Sequence, residues 1–280
     1  MKVDSLCDRF LQWALSRKKP KTYKEYARYV NQHIIPRFGK MHVSDVSAMD
    51  VESYISQLRA TPILANRLIS TLSKLFNMAE KWGFRPQGSN PTRHAERYRE
   101  KARKRYLSKE EATKIMDRLT FYEKQRPQAV AFLWLLLYTG ARPAEIAQAR
   151  PEQLKGNRFE LEDHKTDRTG RDRIIYLPPQ AVAVISSLPR YQGGTITGIK
   201  SPTRLWRTIL EETGITGLRM YDLRHNFASV ALASGSTLGE IGELLGHSCP
   251  TSTKRYAHLI EDVAVARATK IAAYIDNMGR

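Results

Sequence analysis

The amino-acid sequence predicts a mainly α-helical chain of two domains, with one small β-sheet or hairpin in the second. Apolar residues recur at helical spacing through most segments between turn formers, whereas one stretch, 159–177, changes to extended signals. The length of 280 residues exceeds the roughly 100–200 that one core commonly spans. Between Gly83 and Leu107 the text GFRPQGSNPTRHAERYREKARKRY passes from turn formers to a dense basic run. That change divides the chain into a helical domain over 1–86, a basic linker over 87–106 and a second domain over 107–280.

In the first domain Val3, Leu6, Cys7, Phe10, Leu11 and Ala14 space a helix over 3–15. A second, over about 22–35, presents Tyr23, Tyr26, Val30 and Ile34 and is expected to end before Pro36. Ser47 precedes a third, and a fourth over 63–82 carries Leu68, Leu72, Leu75, Phe76 and Ala79. In the second domain Ser108 and Glu111 form a capping pattern before a helix to about 119. The stretch 128–138 is almost wholly apolar and so is expected to be buried; Gly140 ends it, Arg142 follows, and Pro143 suits the start of another helix.

Phe159 and Leu161, a polar turn with Gly170, and the run after Arg173 read as a β-hairpin. Helices over 181–188 and 202–213 follow, the latter with the stripe Leu205, Trp206, Ile209 and Leu210 and a stop at Gly214. Beyond Arg224 an apolar helix runs to Gly235, and Thr237 with Glu240 caps another that Gly246 ends. His247 therefore falls on a turn, and a short helix after Pro250 carries Tyr256. The segment 261–278 is helical in texture again.

Forty-six Lys plus Arg against 28 Asp plus Glu leave a formal charge of +18, which points to a polyanionic partner. No apolar run approaches the ~20 residues of a membrane span, so no membrane partner is expected. The N-terminus lacks a secretory pattern, which implies a cytoplasmic protein. Cys7 and Cys249, in different predicted domains, read as free thiols in a reducing compartment. Neither a metal nor a nucleotide cofactor is expected, because no cluster of ligating residues accompanies the motifs below.

The stretches DLRHNFAS at Arg224, LLGHS at His247 and RYAH at Tyr256 resemble the C-terminal signature of the tyrosine recombinases, the phage-integrase family. LLLYTGARPAEIAQAR resembles the family's first-arginine motif at Arg142, with Glu145 matching a carboxylate one helical turn on. Lys165, followed by Thr166, resembles the family's hairpin lysine. The resemblance implies a two-domain C-shaped DNA clamp with a helical core-binding domain and a catalytic domain. It implies strand cleavage and rejoining through a 3′-phosphotyrosyl intermediate, in a site-specific recombinase or integrase of a phage or mobile element. Tyr256 would be the nucleophile, Arg142, Arg224 and His247 would grip the scissile phosphate, and Lys165 would protonate the leaving 5′-oxygen. Double-stranded DNA, a homotetramer on DNA and DNA-bending accessory factors are the implied partners.

One position departs from the pattern: Tyr221 stands where the family most often has a histidine. A phenol donates a hydrogen bond to a phosphate oxygen, but with an ordinary pKa of ~10 it does not shuttle protons near neutrality. Two other readings stay open: a type IB topoisomerase, which shares the chemistry, and a catalytically weakened DNA-binding accessory protein.

Overall fold

Three helix starts are capped in both directions. Asp50, Glu111 and Glu240 donate their backbone N–H groups to the hydroxyls of Ser47, Ser108 and Thr237, and their carboxylates accept the N–H of the same three residues. Such reciprocal pairs satisfy donors that a helix start leaves open. The structure, a computed structural model, describes residues 1–100, 105–161, 172–189, 194–247, 253, 256–257, 268–269 and 271–278. Lys165, Gly170 and Cys249, together with linker residues 101–104, lie outside the described residues.

The chain divides into two compact units, Met1–Arg103 and Lys104–Arg280. The first holds α1 (Val3–Arg17), α2 (Pro20–Tyr29), α3 (Ile35–Phe38), α4 (Ala48–Ser56) and α5 (Pro62–Lys81). Its core joins Leu6, Phe10, Val30, Ile34, Phe38, Leu68, Leu72 and Phe76. The expectation that the second helix stops before Pro36 is not met. A π-helical turn, Val30–Ile34, intervenes, and the chain stays helical through Phe38. Ile35 donates its N–H five residues back to Val30. The wider turn accommodates a proline that would strain a regular helix through its missing N–H and its ring.

Residues 84–100 pack on this same unit. Phe84, Ala95 and Tyr98 touch its core. Asn66, buried on α5, donates to the Tyr98 carbonyl and to Glu100 Oε1, both at 2.8 Å, and accepts from the Tyr98 N–H. Asn90 likewise donates to the Ser73 carbonyl and to Asn77.

The second unit contains α6 (Lys109–Tyr122), α7 (Pro127–Thr139), α8 (Pro143–Gln148), a small sheet, then α9 (Pro179–Ser186), α10 (Thr203–Thr213), α11 (Asp222–Ala233) and α12 (Leu238–Leu245). The mainly helical prediction with a small sheet holds. The sheet has three antiparallel strands in the order β1 (Leu154–Lys155), β2 (Arg158–Leu161) and β3 (Arg173–Tyr176), with Phe159 opposite Ile175. β1, only two residues long, has too little alternation to be read in the sequence. Helix α7 is apolar on nearly every side because it is the centre of this core, meeting α6, α8, α9 and α11. Among the described residues no helix is long and apolar enough to cross a membrane.

Candidate active site

The site is built where two helices end. Gly140 closes α7 and Gly246 closes α12, both left-handed with φ of 61° and 63°. At α12 the cap is a Schellman pair: His247 donates its N–H to the Gly242 carbonyl and Gly246 donates to Glu243, each at 2.8 Å. The carbonyls of Leu244 and Leu245 are then left for side chains.

Two buried arginines take them. Arg224, on the first turn of α11 and 2 % exposed, donates from Nη2 to the Leu245 carbonyl at 2.6 Å and from Nη1 to the Gly140 carbonyl at 2.9 Å. Arg173, on β3 and equally buried, donates to the Leu244 carbonyl at 3.1 Å. Helix C-termini carry partial negative charge, so both guanidiniums sit where the backbone favours them. Burial first and the Arg142 charge next draw the Arg224 pKa down from 12.5 to about 10, so it stays charged at neutrality.

Arg142 precedes α8 and is bound through Nη1 to Glu145 Oε1 at 2.5 Å; its N–H donates to Glu145 Oε2 at 2.9 Å. Arg173 Nε lies 3.6 Å from the same carboxylate. Burial alone would raise the Glu145 pKa, but the charges of Arg173 and Arg142 and the hydrogen bonds from Arg142 outweigh it and hold the carboxyl below its ordinary value. Arg142 and Arg173 thus share one carboxylate, and the charge of Arg142 is also felt at Arg224, so three guanidiniums and a single carboxylate leave a surplus of positive charge suited to an anion.

His247 stands on the turn after α12, its Nδ1 2.8 Å from the Thr253 hydroxyl. Tyr256 lies in a turn, 1 % exposed, packed among Ala228, Leu232, Ile241 and Leu245. Its hydroxyl is 2.9 Å from His225 Nδ1. Tyr221, 41 % exposed, sets its ring edge to face against His225, centroids 5.6 Å apart. Arg142, Tyr221, Arg224, His247 and Tyr256 are therefore gathered around α11 and the ends of α7 and α12.

A model of the phage integrase family matches residues 105–262, more than half of the chain, and a model of the phage integrase N-terminal SAM-like domain matches 3–59. The chain belongs to the phage integrase family. A tyrosine recombinase of Pseudothermotoga lettingae is 24 % identical over 79 % of this chain and 81 % of its own. An integrase of Escherichia phage 186 is 26 % identical over 72 % of this chain and 58 % of its own. A lambda integrase dimer bound to a core site has the same fold, with a TM-score of 0.73 at 20 % identity over 91 % of this chain and 95 % of that one.

In this integrase-family chain two site residues were not visible in the sequence. Arg173 reads as one more strand residue, and only the packing of β3 on α12 reveals a buried charge. His225 stands beside Arg224 in the chain but 31 residues from the tyrosine it meets.

Gly246→Ala tests how tightly the arginines are seated. A Cβ at Gly246 would stand 2.5–2.8 Å from Cδ, Nε and Cζ of Arg173, a side chain with no room to retreat. The left-handed backbone adds about 1–2 kcal/mol. The variant is expected to melt at least ~2–8 °C lower, at ~2–4 °C per kcal/mol for a unit of this size. A thermal melt matching wild type would show that the seat yields freely.

Proposed function

We propose that this protein is a site-specific DNA recombinase of phage or mobile-element type, cleaving and rejoining strands through a 3′-phosphotyrosyl link to Tyr256. The observation that carries the reading is the cluster of Arg142 and Arg173 on one carboxylate with the buried Arg224 guanidinium close enough to feel the Arg142 charge, together with a tyrosine whose hydroxyl is already hydrogen-bonded to an imidazole.

A phosphodiester repels nucleophiles through its own charge, and preorganised guanidiniums offset the charge that grows in the transition state. Arg224 has five N–H donors and, among the described residues, gives one from each of Nη1 and Nη2 to a backbone carbonyl, so its planar fork keeps further donors to offer non-bridging oxygens. Arg142 would share that phosphate by exchanging part of its contact with Glu145, and His247 and Tyr221 would add single hydrogen bonds. Tyr256 then attacks phosphorus and the 5′-oxygen leaves with a proton from Lys165. The phosphotyrosine conserves the bond energy, so a 5′-hydroxyl from another duplex reverses the step without a nucleotide cofactor.

In this reading residues 1–86 bind the duplex, 87–106 link the domains and follow the DNA with their basic side chains, and 107–280 form the catalytic domain. The dimer on DNA among the structural relatives, and a tetrameric lambda integrase on a Holliday junction, favour assembly of several copies on DNA. So does the helical stretch 271–278, which leaves Ile271, Tyr274, Ile275 and Met278 exposed along one face. Such an enzyme works where its DNA is, in the cytoplasm, and DNA-bending factors are its natural accessories.

Covalent trapping tests the reading. Wild type and Tyr256→Phe are incubated with host and element DNA and denatured in detergent, and protein-linked ends are sequenced. Tyr256-dependent adducts at one recurrent sequence are expected. Scattered adducts would favour a topoisomerase, and tight binding without any adduct would favour an accessory protein.

A further inference from the structure

We infer that His225 is the base that takes the phenolic proton from Tyr256 during strand cleavage, a role that rests on the recombinase reading above. The sequence leaves a gap in the chemistry. Attack by a phenol with an ordinary pKa of ~10 needs a proton acceptor near neutrality. Tyr221, at the position where the family most often has a histidine, does not supply one.

The geometry fills that gap from the next turn of chain. His225 Nδ1 lies 2.9 Å from the Tyr256 hydroxyl, within the reach a general base requires. With the ring proton on Nε2, Nδ1 accepts from the phenol O–H. The two rings are tilted, with centroids 5.8 Å apart, so the contact is made through the polar atoms and not by stacking. Two phenols thus face the imidazole: Tyr256 as donor, and Tyr221 with its ring set at 70° against it. Tyr221 is then a positioning residue, fixing the ring that does the work its own side chain cannot. Arg224 is the preceding residue on α11, so the proton acceptor and a phosphate-binding guanidinium ride on one helix.

The step balances. As the Tyr256 Oη–phosphorus bond forms, the phenolic proton passes to His225 Nδ1. The phosphorus–O5′ bond breaks, and the 5′-oxygen takes a proton from Lys165. In religation the imidazolium returns its proton to the departing phenol.

The test uses the full chain and a nicked duplex carrying the sequence recovered at Tyr256-linked ends, with adduct formation followed in single turnover from pH 5 to 9. His225→Asn keeps a polar atom near the Nδ1 position but has no basicity, and His225→Gln serves as a second variant. DNA affinity and circular dichroism verify that each is folded. Wild-type cleavage is expected to fall on the acid side as an imidazole gains a proton. Both variants are expected to cleave about 10²–10⁴-fold more slowly, with a rate that climbs steadily with hydroxide and shows no imidazole limb.

A variant within about threefold of wild type, or a slower one that keeps the wild-type acid limb, overturns the assignment. The parent reading fails differently. Adducts that persist in Tyr256→Phe, or no adduct from wild type on any DNA, overturn the recombinase itself and this inference with it. Loss of adduct in Tyr256→Phe beside normal cleavage by His225→Asn overturns only the role of His225.

Discussion

Arg224→Lys is expected to slow DNA strand cleavage about 10²–10³-fold, the cost of losing one preorganised donor at a developing charge. DNA affinity should barely change. Arg224 spans two helices, binding the Gly140 carbonyl at the end of α7 with one nitrogen and the Leu245 carbonyl at the end of α12 with the other. A lysine has a single ammonium and reaches one carbonyl or the other, so the remaining oxygen is left buried without a partner. The charge that attracts the duplex survives, and the salt dependence of binding should keep its slope within about one counterion. Single-turnover trapping beside binding measured at two salt concentrations separates the two effects. Equal loss of affinity and cleavage would mean that Arg224 serves the fold and not the transition state.

Glu145→Gln is expected to destabilise the DNA-free protein by about 3–5 kcal/mol, the usual result of removing one partner from a buried ion pair. At ~2–4 °C per kcal/mol the melting temperature falls by about 6–20 °C. Glu145 is 7 % exposed and is the carboxylate that Arg142 and Arg173 share. Its folded pKa is held below the ordinary value. Its stabilisation is therefore complete above the unfolded carboxylate pKa of ~4.3 and is lost as pH falls through the folded value. Wild type should show that acid-side loss, and the variant should show less of it. A bound phosphate replaces the missing charge, so DNA should raise the melting temperature of Glu145→Gln more than that of wild type. A variant as stable as wild type at pH 7 would show that the arginines need no such counter-charge.

The parts of the site that local rules govern were legible in the sequence. Ser108, Thr237, Gly140 and Gly246 announce helix starts and stops whatever the tertiary context, so the turns bearing Arg142 and His247 could be placed in advance. What could not be read depends on distant contacts. Pro36 stops a helix by the ordinary rule, yet the π turn at Val30–Ile34 lets the chain carry on. Nothing local marks Asn66 and Asn90, yet their bonds to residues 10 to 34 positions away tie 84–100 to α5 beside the packing of Phe84, Ala95 and Tyr98. Arg173 lies in no quoted motif, and His225 sits inside DLRHNFAS with nothing local to mark what it meets, because what makes each matter is the approach of α12 and the turn behind it.

The seat of Arg224 also bears on how such a chain tolerates genetic change. Both of its acceptors are main-chain oxygens, and no codon encodes a main-chain oxygen. Replacing Leu245 by another residue alters packing but leaves the acceptor in place. The hold of Arg142 is of another kind, since it depends on the Glu145 side chain and one altered codon removes it. Lineages of this protein are therefore free to drift at Leu245, provided the helix end keeps its course, whereas Gly140 is held by its left-handed backbone and the close approach of Phe227, and the partner of Arg142 must be retained or exchanged in kind.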